Sequence, residues 1–131
     1  PAFILQSFVP GSEVSTERLW RLVYGKVARG AGRYFNPYFT QKGDTGPREL
    51  WADAFGIWAM TTGDPVLLDG APHKVLVPKG RSQVDRVVTW RTRAFTTEYD
   101  IPYAMAFEIE DYFDRLHQEV KSGKRKPRLA R

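Results

Sequence analysis

Glu110, Asp114 and His117 fall at i, i+4 and i+7, the spacing that a metal or proton-transfer site on one helix would need. A helix through them sets two carboxylates and an imidazole on one face, a candidate divalent-cation site. The same pattern also describes the solvated face of an acidic helix. His73 follows Pro72 in a loop-like stretch and has no nucleophile at a fixed offset. Seven carboxylates between Glu98 and Glu119 suggest a metal-dependent nuclease, but no lysine follows at strand spacing. The absence of cysteine excludes thiolate nucleophiles, thiolate zinc modules and disulfides. No phosphate-binding glycine loop, Gly-x-Ser-x-Gly elbow or His-Glu-x-x-His is present. These residues predict a protein that is not an enzyme and that uses neither metal nor organic cofactor.

The cations carry a different chemistry. Arg18, Arg21, Arg29 and Arg33 recur at steps near multiples of 3.6, so they share or border one helix face. Such a row is either a solvated face or a line of phosphate contacts. Tyr34, Phe35, Tyr38 and Phe39 put four rings in six positions beside those arginines. They either stack on unpaired bases, pin a long loop, or meet another subunit. The last 11 residues hold six cations, with Gly123 and Pro127 opposing a firm helix. A polycationic arm of this kind gains affinity for a polyanion by counterion release without reading sequence, and it also serves as a solubilising terminus. The residues that could face DNA are therefore Arg18, Arg21, Arg29, Arg33, Arg128 and Arg131.

The elements that must place these groups fit a chain of 131 residues, one domain's worth, at 42% hydrophobic and 27% charged. No apolar run is long enough to span a bilayer, and the start lacks a signal peptide's basic region. Pro1 is what trimming an initiator methionine leaves, which predicts a complete, cytoplasmically made chain. Residues 1–10 read as an extended apolar arm broken at Pro10-Gly11-Ser12. Ser15 or Thr16 can cap a helix whose apolar face is Leu19, Trp20, Leu22, Val23 and Val27, ended by Gly30-Ala31-Gly32. Residues 34–49 read as loop, and Phe55–Thr61 as strand-like. Val66–Leu68 and Lys74–Val77 are short apolar runs. Val84–Arg91 and Ala94–Asp100 look like a hairpin joined at Thr92-Arg93, closed by Tyr99-Asp100-Ile101-Pro102. Pro102 then opens a helix along Met105, Ile109, Tyr112 or Phe113, Leu116 and Val120, stopped by Ser122-Gly123. The predicted class is α+β: an antiparallel sheet of about four strands flanked by an N-terminal and a C-terminal helix. The domain covers 1–120 and a flexible basic tail covers 121–131.

Two segments resemble a known family. Gly43-Asp44-Thr45-Gly46, followed by Leu50, is similar to the Asp-Thr-Gly segment that precedes the sheet in small head–tail joining proteins of long-tailed bacteriophages, the tail-completion or minor capsid group. Thr97-Glu98-Tyr99-Asp100-Ile101-Pro102-Tyr103-Ala104 resembles that group's strand-ending Tyr-Asp-x-Pro-Tyr-Ala, and His117–Lys126 its His-x-x-Gly-x-x-Lys stretch. The pattern covers residues 43–126. It departs at Arg48 and Trp51, at Phe107 where the family has histidine, and at Pro127-Arg128-Leu129. The resemblance implies a structural virion protein that forms an oligomeric ring in the phage neck, between the head connector (portal) and the tail.

The charge layout suits heterologous contacts in such a ring, at +5 over residues 1–97, −6 over 98–119 and +6 over 120–131. In that reading Phe3, Ile4 and Leu5 reach an adjacent copy. Glu108, Glu110 and Asp111 meet Lys124, Arg125 and Lys126 of a neighbour, and basic residues touch DNA in the channel without sequence preference. The alternative is a free-standing nucleic-acid-binding accessory protein that uses the arginine face, the loop rings and the tail.

Overall fold

A computed structural model describes residues 13–123. The arm residues Phe3, Ile4 and Leu5, and the tail residues Lys124, Arg125, Lys126, Arg128 and Arg131, lie outside that range. The described chain has four helices: α1 (Glu13–Gly30), α2 (Thr45–Met60), α3 (Trp90–Tyr99) and α4 (Tyr103–Lys121). A 3-10 turn spans Pro37–Thr40. Between α2 and α3 run β1 (Leu67–Leu68), β2 (Ala71–Pro72), β3 (Lys74–Lys79) and β4 (Ser82–Val87). The class is α+β, but the strands form two separate antiparallel ribbons, β1–β2 and β3–β4.

One backbone junction ties the ribbons together. Val88 N–H donates to His73 O, as the β3–β4 ladder would continue. The return bond is replaced by two: His73 N–H donates to Val66 O, and Val66 N–H donates to Val88 O, each at 2.8 Å. Val66 is thus spliced into the ladder and its peptide is satisfied on both sides. The inner side chains Val66, Val77 and Val88 pack with Phe107 of α4 as a small second core.

The expected hairpin of Val84–Arg91 with Ala94–Asp100 is not formed. β4 pairs with β3 instead, with Val84 opposite Val77 and Arg86 opposite Val75. Ala94–Asp100 belongs to α3 and the turn after it. The helix wins because its N-terminus is fully capped. Thr89 Oγ1 accepts from Thr92 N–H and Thr92 Oγ1 accepts from Thr89 N–H, both at 3.1 Å. Trp90 and Arg91 N–H donate to the carbonyls of Asp64 and Thr62. The strand-like Phe55–Thr61 and the loop reading of 45–49 are also overturned, because both fall largely within α2. Trp51, Ala54, Phe55 and Trp58 sit at i, i+3, i+4 and i+7, a helical face that turns inward. The α1 helix starts at Glu13, so Ser15 and Thr16 lie inside it and not at its N-cap position.

The main core lies among the four helices, around Trp20, Leu50, Trp51, Phe95 and Phe113. Its indoles are satisfied: Trp20 Nε1 donates to Pro47 O at 2.7 Å, and Trp51 Nε1 to Tyr112 Oη at 3.2 Å. Asp100, in the left-handed region at φ 52°, turns the chain from α3 into α4. Thr97–Ala104 is therefore a helix–helix corner, and Asp44-Thr45-Gly46 opens a helix. Neither motif occupies the sheet setting that the family resemblance implies. Gly46 has a local cause: a Cβ there would lie 2.6 Å from Phe39 O and 2.8 Å from Tyr24 Oη.

Candidate nucleic-acid interface

At 3.6 residues per turn, Arg18, Arg21, Leu22, Gly25 and Arg29 fall within about 100° of the α1 circumference. Trp20, Val23 and Val27 occupy the opposite, buried side. All three arginines are exposed. Gly25 keeps the stripe open for the long side chain below it, since Arg29 Nη1 lies 3.3 Å from where a Cβ would begin. Arg21 donates to Asp44, and this bond holds the Asp44 carboxyl below the usual aspartate range, with Arg48 adding to the effect. Beyond the helix end, Arg33 is exposed and its guanidinium lies 5.1 Å from the centroid of the Tyr34 ring.

The four rings of the following loop divide in two. Phe39 is buried, and Phe35 and Phe39 lie edge-on to Tyr99, closing the core under the loop. Tyr24 Oη donates to Phe39 O at 2.5 Å, and Asn36 Oδ1 accepts from Tyr38 N–H to start the 3-10 turn. Tyr34 and Tyr38 remain 78% and 52% exposed, Tyr34 beside Arg33 and Tyr38 with its hydroxyl bonded to Glu49. Phe35 and Phe39 therefore anchor the loop, Tyr38 is held by Glu49 and packs edge-on to Phe39, and Tyr34 is the ring left open to a partner.

The acidic stretch of α4 is neutralised within the chain. Glu108 takes Lys26 Nζ at 3.1 Å. Asp111 takes Arg86 in a two-bond fork at 3.0 and 2.8 Å, with that guanidinium also 4.3 Å from the Phe107 ring centroid. Asp114 accepts from Trp58 Nε1 at 2.9 Å and lies 3.8 Å from Arg91 Nη1, whose guanidinium stacks on Trp58. Arg115 pairs with Glu119. Glu110 is not a surface residue: at 4% exposure it accepts Thr89 Oγ1 and Thr92 Oγ1, each at 2.6 Å. Burial raises its carboxyl above the usual glutamate range against the pull of the two hydroxyl bonds, with Asp114 and Asp111 adding to the rise. This corrects the assignment of Glu110 to a subunit contact, because a neighbour's lysine cannot reach it. The partners come from residues up to 82 positions away in sequence, which no local pattern announces.

The trio at i, i+4 and i+7 does not assemble as a metal site. Glu110 faces the threonines, Asp114 faces Trp58, and the His117 ring lies 5.4 Å from the Trp58 ring centroid. Among the described residues no three His, Asp or Glu side chains converge as metal ligands. His73 is half-buried with its ring edge-on to Tyr103, and its backbone serves the strand junction. Among the described residues no helix is long and apolar enough to cross a membrane. No protein family, curated protein or solved structure matches this chain.

Proposed function

We propose that this protein is a non-catalytic structural component that meets nucleic acid as phosphate along the exposed arginine face of α1. The assembly we assign it to is the head–tail neck ring of a tailed bacteriophage, which the sequence motifs imply. The observation that carries the phosphate reading is the asymmetry of neutralisation. The acids Glu108, Asp111 and Asp114 are paired inside the fold, whereas Arg18, Arg29 and Arg33 point to solvent without a carboxylate partner among the described residues. The field over α1 is left positive and steers polyanions. A second reading, a free-standing nucleic-acid-binding protein, is favoured by the exposed ring of Tyr34 beside Arg33.

Gel shift and mass measurement on the full chain separate the two. A neck subunit should bind DNA weakly, be largely monomeric alone, and assemble into a ring only on a preformed connector. Tight binding as a monomer or dimer, with no response to connector, would favour the accessory protein.

A further inference from the structure

Between α1 and α4 runs a shallow groove of roughly 230 Å³, lined by Leu19, Leu22, Val23 and Tyr112, with Lys26, Glu108, Asp111 and Arg115 along its edges. Leu22, in its lining, is 59% exposed. The edge charges are already engaged: Lys26 with Glu108, Arg86 with Asp111, and Arg115 with Glu119. An occupant therefore gains by being apolar and uncharged, since a charged one would compete with pairs already made.

We propose that the groove seats this chain's own N-terminal segment, residues 2–9, as a strap folded back along α1. The segment has five large apolar residues (Phe3, Ile4, Leu5, Phe8 and Val9), no charge and no internal glycine or proline. Pro10-Gly11-Ser12 lies between it and Glu13, where α1 begins, and is turn-forming chemistry at the point where the chain must reverse. The lengths agree. Leu22 lies nine residues into α1 from Glu13, about 14 Å at 1.5 Å per residue. An extended segment returning from Val9 covers that in about four residues at 3.3 Å each, which sets Leu5 over Leu22. Phe3 then reaches the end of the groove marked by Lys26 and Glu108. Tethering through three residues gives the segment an effective concentration that a free partner would have to exceed.

The absence of native cysteine makes the test direct. The full chain carrying Leu5→Cys and Leu22→Cys, oxidised at low protein concentration, should form an internal disulfide on the monomer. A control with Leu5→Cys and Leu67→Cys should not, because Leu67 sits on the distant β1–β2 ribbon. Deleting residues 2–9 should also speed amide exchange several-fold across residues 19–26. A crosslink found only between chains would overturn the proposal in favour of a second copy's segment. No crosslink, with exchange unchanged by the deletion, would overturn docking altogether.

Discussion

Replacing Phe113 with alanine is expected to lower stability by about 3–5 kcal/mol. Phe113 is 2% exposed, and its ring centroid lies 5.0–6.2 Å from those of Trp20, Trp51, Phe55, Trp58 and Tyr112. Those rings come from α1, α2 and α4, so the ring is where three helices meet. Truncation would open a cavity that rigid indoles cannot close, because two of them, Trp20 and Trp51, are held by hydrogen bonds to Pro47 and Tyr112. Denaturant unfolding reads the loss. A cost below about 1 kcal/mol would mean that the helices do not share one core.

Glu110 gives the second large effect, and it has a pH signature. Alanine there removes the acceptor of both Thr89 and Thr92 hydroxyls, and with it the tie between the α3 cap and α4. The expected cost is about 2–3 kcal/mol in acid, below the ordinary glutamate range, and smaller at neutral pH. Glutamine should cost less, since its amide can serve both hydroxyls. The folded carboxyl binds its proton more tightly than the unfolded one, because burial raises it. Its contribution is therefore fully present below the ordinary glutamate range and is lost as pH rises through the raised value. Relative to Glu110→Gln, the native protein should lose stability across that window. Parallel pH profiles for the two proteins would show that Glu110 titrates as it does in the unfolded chain.

The parts of this architecture legible in the sequence are those whose signals are local. The α4 helix was readable from Pro102 to Ser122-Gly123, because a proline start, a 3.6 period and a stop coincide. Gly80, at positive φ, turns β3 into β4, a position that suits glycine. The α2 and α3 helices differ from the strands that composition predicts because tryptophan, phenylalanine and threonine favour strands, yet here they lie at helical spacing and face the core. Thr89-Trp90-Arg91-Thr92 holds a capping box in which threonine replaces the usual glutamate, so no sequence signature announces it.

The site was legible on one side only. Arg18, Arg21 and Arg29 share an exposed face as their spacing required. The acids of α4 looked like an open patch because Lys26, Arg86 and Arg91 are brought to them by the fold. Burial of Glu110 had a trace in sequence, since Ile109, Glu110 and Phe113 lie on the inward arc of the same helix.

The salt dependence of DNA affinity tests the central claim most directly. Each lost phosphate contact lowers the slope of log affinity against log salt by roughly 0.9. Full-length protein carrying Arg18→Gln, Arg29→Gln and Arg33→Gln should therefore show a slope shallower by about 2 to 3 on duplex DNA. Lys79→Gln with Arg81→Gln, at the tip of the β3–β4 ribbon, should leave the slope unchanged. A triple variant with the native slope would contradict the assignment of α1 as the face that meets phosphate.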